Sequence, residues 1–130
     1  VMRMLVLGVT ALLLCSGCSN GQEDDVRDRA AGFEAALDHA DWSRACQHLA
    51  PPTRAELADS GGGSCAKGLS GEELDPPGRL DTVQVFGTTA QVSFAHDTLF
   101  LSRFGDGWRV VAAGCTPRKD KPYDCSVQGG

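Results

Sequence analysis

The spacing of apolar side chains changes once along this chain, around Pro76-Pro77-Gly78, and that change constrains the fold more than any other feature. Before it, Val26, Ala30, Phe33 and Leu37 recur at helical spacing, with Arg27, Asp28, Arg29, Glu34 and Asp38 assigned to the solvent side. After it the period is two: Val83 and Val85 alternate with Thr82 and Gln84, and Ala90, Val92 and Phe94 with Gln91, Ser93 and Ala95. A helical half followed by a run of strands with short turns calls for an α+β fold. The N-terminal helices must then cover one face of an antiparallel meander.

Local signals place the elements. The first helix is expected from Val26 to near Ala40, and Asp41 caps a second in which Trp42, Ala45, Cys46 and Leu49 share a stripe. Pro51-Pro52 ends that helix, and Thr53-Arg54-Ala55-Glu56 reads as a capping box opening a third that stops at Gly61-Gly62-Gly63. Ser64 caps one more turn containing Cys65, Ala66 and Leu69. Four strands follow, over 80–86, 89–95, 97–104 and 108–113, with Gly87-Thr88 and Gly105-Asp106-Gly107 as turns. The expectation is a single α+β domain over residues 26–130. In it, N-terminal helices pack on a curved, cone-like, four-stranded antiparallel meander held by two disulfides.

Residues 1–17 do not belong to that pattern. Arg3 supplies a positive start, Leu5 to Leu14 carry no charge, and small residues Ser16 and Gly17 follow, which is the layout of a secretory signal. The apolar run is about half of the roughly 20 residues that a spanning helix needs. Cys15-Ser16-Gly17-Cys18 resembles the lipobox of bacterial lipoproteins, with Cys15 at a place where that motif usually carries leucine. The resemblance implies that Cys18 becomes the first residue of the mature chain and is lipidated. It also implies that 18–25 form a solvated tether and that the domain sits on the extracytoplasmic face of the cell membrane. An ordinary secreted protein cleaved near Gly17 is the alternative. Loss of 1–17 moves the formal charge from -5 to -6, because Arg3 leaves and no acid does. An acidic domain excludes nucleic acid as a partner and leaves acyl chains as the membrane contact.

Four further cysteines, Cys46, Cys65, Cys115 and Cys125, are an even number in an exported chain and read as two disulfides. Three pairings are open; locality favours Cys46–Cys65 and Cys115–Cys125, each bridge worth about 3 kcal/mol. No CxxC pair occurs after Cys18, and His39, His48 and His96 form no HxxxH or HxH pattern, so no metal or cofactor is expected. GxSxG, HExxH, P-loop and GxGxxG motifs are lacking as well. His39 and His48 suit surface or capping roles. His96-Asp97 is the nearest approach to an acid-base pair, but neighbouring strand residues point to opposite faces, which favours turn chemistry. The aromatic set Trp42, Phe86, Phe94, Phe100, Phe104 and Trp108 is either the core or the lining of a cavity. The pocket candidates are Trp42, Phe94, His96, Phe100 and Trp108. Arg118, Lys119 and Lys121 make a small basic patch in a solvated loop.

Helices first, a step reading Ala40-Asp41-Trp42 into the second helix, and a last hairpin with Gly107-Trp108-Arg109-Val110 together resemble the nuclear transport factor 2-like (SnoaL-like, cystatin-like) superfamily. The likeness is to its small lipoproteins from high-GC Gram-positive bacteria and covers about residues 26–115. It implies a cone with a pocket between sheet and helices, used for small apolar ligands, for catalysis or for dimerisation. Relatives place Asp, His or Tyr in that pocket, whereas Tyr123 is expected here beyond the last strand, in the disulfide loop. The expected function is therefore a membrane-anchored, non-catalytic module that binds a small apolar ligand or an envelope protein. The alternatives are a pocket enzyme of isomerase or dehydratase type with His96 or Asp97 as base, and a structural homodimer.

Overall fold

A computed structural model describes residues 20–129. The signal segment 1–17 and Cys18 lie outside the described residues. The chain forms α1 (Asn20–Asp38), α2 (Trp42–His48), α3 (Pro51–Ser60), α4 (Cys65–Gly71) and then strands β1 (Leu80–Phe86), β2 (Thr89–Phe94), β3 (Thr98–Phe104), β4 (Gly107–Arg118) and β5 (Lys121–Gln128). The strands make one open antiparallel sheet in the order β1-β2-β3-β4-β5. The architecture is α+β, with one strand more than expected.

The extra strand arises because the tail folds back as a hairpin. Asp120 takes a left-handed backbone (φ 59°) at the turn, and Cys115 and Cys125 become cross-strand neighbours joined by a disulfide. Tyr123 is therefore a strand residue and not part of a loop. Its ring meets Phe100 edge-on with centroids 5.0 Å apart, and Gln91 Nε2 donates to its hydroxyl at 3.4 Å. Cys46–Cys65 is the second bridge, tying α2 to the start of α4. Two disulfides in a domain this small belong to an oxidising, extracytoplasmic compartment. Among the described residues, no helix is long and apolar enough to cross a membrane.

α1 begins at Asn20, so residues 20–25, expected as tether, are helical. Its other end is a Schellman turn: Asp41 N–H donates to Ala36 O and Ala40 N–H to Leu37 O, each at 2.9 Å, with Ala40 left-handed (φ 52°). Asp41 then accepts from Arg44 N–H at 3.1 Å and caps α2. Ser64 caps α4 in the same way at 3.3 Å. The capping box at Thr53 does not form. α3 starts two residues earlier on Pro51, where a missing N–H costs little, and Thr53 is fully buried with its hydroxyl donating to Val111 O at 3.0 Å. Val111 is the extra residue of a bulge between the pairs Phe100–Ala112 and Leu101–Val110, and the hydroxyl occupies its carbonyl.

The core lies between α1 and the inner sheet face: Val26, Ala30 and Phe33 meet Val92, Leu99, Leu101, Trp108 and Val110. Leu49, Leu57 and Leu69 carry the core into the other helices and turns. α3 and α4 cross where Gly68 lies against the Leu57 carbonyl, and a Cβ there would collide with it. The outer sheet face is polar around Gln84, Gln91 and Ser102, with Phe86 60% exposed.

Candidate functional site

The five expected pocket residues do not converge. Phe94 and Trp108 are buried in the core, and Phe100 is on the outer face beside Tyr123. His96 is exposed at the β2–β3 turn. Trp42 alone borders the cleft described next. The separation follows from strand alternation: Phe94 and Phe100 sit on opposite faces because Val92 pairs with Leu99 and Gln91 with Phe100.

What the fold does bring together is acidic. Glu34, assigned from the sequence to the solvent side of the first helix, is only 5% exposed. It lies four residues after Ala30 and three before Leu37, on the edge of the apolar stripe, and the strap between α4 and β1 covers that edge. Glu34, Leu37, Trp42 and Leu74 border a cleft of about 220 Å³ whose remaining walls include Asp38, Glu72 and Asp75. Leu74 packs onto the core, and its methyl group occupies the space above Gly114 where a side chain would stand. Pro77 O accepts from His96 N–H at 2.8 Å, which fastens the strap to the β2–β3 turn.

Behind Glu34 stands Asp97. β3 and β4 pair only as far as Phe100–Ala112, and past that point the Asp97 carboxylate takes the place of the missing ladder partner. Its Oδ1 accepts from Thr98 N–H at 2.7 Å and Cys115 N–H at 3.0 Å, and its Oδ2 from Gly114 N–H at 3.3 Å. Burial raises the Asp97 pKa, and those three N–H donors pull it back. Burial, with Asp97 and Asp38 nearby, pushes Glu34 up to about 8. Glu34 therefore keeps its proton at neutral pH and shares it with Asp97. Apart from that shared proton, no hydrogen-bond partner among the described residues reaches its buried Oε1.

A carboxyl that keeps its proton beside a second carboxyl is the arrangement that general acid-base chemistry uses. His96 and Asp97 border a second, smaller space of about 110 Å³ on the far side of the strap. They do not act there as the expected pair, since both Asp97 oxygens are held by backbone. Among the described residues, no three His, Cys, Asp or Glu side chains are arranged to hold a metal ion.

Near the N-terminal half of α1 the charges are mixed. Arg29 Nη1 lies 3.1 Å from His48 Nδ1, and Arg109 pairs with Asp106 at 2.7 Å. Burial first, and then Arg29, lower the His48 pKa. His39 bonds Ala35 O through Nδ1 at 2.7 Å, a capping role at the end of the helix.

Compared with protein-family models, curated proteins and solved structures, the chain matches none of them.

Proposed function

We propose that this chain is a lipid-anchored extracytoplasmic lipoprotein of nuclear transport factor 2-like type. Its domain is a non-catalytic binding module that meets a small ligand or an envelope protein at the cleft beside Glu34. Cys18 in its lipobox-like setting supports the anchor, and the two disulfides support the compartment. The observation that carries the binding role is Glu34: taking a carboxyl out of water is costly, and this one borders a cleft where Trp42 and Leu74 offer apolar walls.

A second reading, a pocket enzyme, draws on the same acid pair. Its acid would be Glu34 rather than His96 or Asp97, because Asp97 is committed to the β4 backbone.

Intact mass of the membrane-fraction protein tests the anchor. A chain starting at Cys18 with a diacylglyceryl group is expected, and Cys18→Ala should release the protein from the membrane; an unlipidated, freely soluble wild type would contradict it. For the cleft, the Trp42 indole N–H is expected to shift on addition of a ligand from an envelope extract or a small-molecule collection, with Trp108 unmoved. Turnover of such a ligand, lost in Glu34→Gln, would replace the binding reading with the catalytic one.

A further inference from the structure

We propose that the free edge of β1 is a dimerisation edge, where a second copy of this chain pairs antiparallel about a two-fold axis through Gln84 and the two sheets run on as one. The inference rests neither on the cleft nor on the lipid anchor.

An open sheet has two edges, and this one treats them differently. Along β5 the exposed residues include Lys121, Pro122 and Asp124, two charges and a residue without an N–H, which blunt an edge against further strands. Along β1 the run Thr82-Val83-Gln84-Val85-Phe86 carries no charge and no proline. Arg79 and Asp81, just before it, pair with each other at 3.0 Å. Phe86 ends the run 60% exposed, the one large hydrophobic residue so exposed among the described residues.

Hairpin geometry decides which backbone groups are free. β1 and β2 are joined by the two-residue turn Gly87-Thr88, with Gly87 left-handed (φ 64°), so Phe86 and Thr89 exchange the closing pair of hydrogen bonds. Alternation then commits Thr82 and Gln84 to β2 and points the N–H and C=O of Val83 and Val85 away from it. Among the described residues, no backbone bond from another element reaches those groups, and the side-chain bond to this run, from Thr89 Oγ1, goes to Phe86 O. A bulge between Leu80 and Thr82 bends the other end of the strand away. The pairable edge is therefore Thr82 to Phe86, with Gln84 at its middle.

A second copy fits that edge in one register. With Gln84 opposite the partner's Gln84, Val83 meets the partner's Val85 and Val85 the partner's Val83, so every free N–H and C=O finds its complement. Thr82 then lies beside the partner's Phe86, whose ring it helps to cover, and Asp81 lies opposite the partner's Gly87 rather than a charge. On the helix side, Val83 and Val85, already packed against the core, gain apolar neighbours across the axis. Moving the axis to Val83 would set Val85 against the partner's bulge at Asp81. Moving it to Val85 would set Val83 against the partner's turn at Gly87. A foreign peptide would use the same backbone groups, but this strand's own sequence already meets the register that satisfies them all and opposes no like charges. With so few residues on each side, the dimer is a weak one, dissociating on the order of tens of micromolar.

Disulfide trapping in the full-length, membrane-fraction protein reads the register. Facing Cα atoms of a non-hydrogen-bonded antiparallel pair lie about 4.5 Å apart, within disulfide reach. Under mild oxidation, Gln84→Cys is expected to give a covalent dimer on a non-reducing gel. Thr82→Cys and Phe86→Cys should each stay monomeric alone, because equivalent positions are then about 14 Å apart, and should cross-link when coexpressed. Ser43→Cys, exposed on α2, is the collision control. Sedimentation velocity of the purified wild type, in density-matched detergent where it is lipidated, should show monomer passing to dimer between about 1 and about 300 µM. Gln84→Lys sets two like charges face to face on the axis and should raise that midpoint at least about tenfold, with circular dichroism and thermal melting unchanged. A wild type that stays monomeric throughout, or Ser43→Cys cross-linking as well as Gln84→Cys, would overturn the proposal. So would a dimer that Gln84→Lys leaves intact and Gln84→Cys does not trap, since it would use another surface. Gln84→Cys trapped on a different protein and not on itself would give the edge to a foreign strand and overturn the self-pairing.

Discussion

The two halves of α1 treat charge in opposite ways. Around its N-terminal half, Arg29 and Arg109 stand with Asp106 and with His48, whose pKa is lowered, and the Asp106–Arg109 pair stays near water. Around its C-terminal half, Glu34 and Asp97 are withdrawn from solvent with further acids about them and no cation on the cleft. A helix less than 30 Å long thus carries a neutralised surface at one end and an uncompensated buried acid at the other. Mixed charge near solvent adds little to stability and needs no special account. A carboxyl that has to keep its proton in order to fold persists only where something else favours it, which is why the second region and not the first is the candidate site.

The largest expected effect is on pH dependence. In the unfolded chain Glu34 titrates near its ordinary 4.5 and in the fold near 8. A raised folded pKa gives stability that is complete below the unfolded value and lost as pH rises through the folded one. At about 1.4 kcal/mol per unit, roughly 4 kcal/mol should disappear between those two values, and the Asp97 shift acts in the same direction. His48 at the other end has the opposite sign: its folded pKa is lowered, so its contribution is lost as pH falls from 6.5. Urea melts of wild type and Glu34→Gln across this range measure the difference. The variant should flatten the alkaline loss and be the more stable protein at pH 8. A wild type equally stable at both ends would remove the contrast between the two regions.

Asp97→Ala should destabilise by about 3 kcal/mol, because the Gly114 and Cys115 N–H groups and the Glu34 proton all lose their acceptor. Asp97→Asn should recover part of that loss, and chemical denaturation of the two variants decides it. A smaller change in the other direction is expected at Ala40, left-handed at the end of α1: Ala40→Gly should stabilise by about 1 kcal/mol in a thermal melt without altering the Glu34 pH profile. Smallest of all is Asp106→Asn, whose carboxylate is exposed; its melting temperature should match that of wild type at physiological salt.

Much of the fold was legible in the residues. The change of period at Gly78, the caps at Asp41 and Ser64, the turns at Gly87-Thr88 and Gly105-Asp106 and the inward set Ala90, Val92 and Phe94 are all local, and each appears where its neighbours in sequence require. β5 was not legible, because Lys121-Pro122-Tyr123-Asp124 lacks an apolar alternation. It becomes a strand by pairing with β4 across the Cys115–Cys125 bridge. The cap at Thr53 failed for a similar reason: its hydroxyl had a better use on the Val111 carbonyl, 58 residues away.

The candidate site divides along the same line. Its residue types were present in the sequence, and Asp97 drew notice beside His96, but Glu34 reads there as one more acid on a helix flank. Sequence by itself determined the four helices, the first four strands with the turns between them and which cysteines remain to pair, since propensity, capping and periodicity act over a few residues. Only the tertiary structure decided that the strap closes over the flank of α1 and that a bulged β4 leaves two N–H groups for Asp97. The strap and Asp97 then enclose Glu34 with no cation. Burial and the pKa that follows from it depend on contacts between distant segments, and no local pattern encodes them.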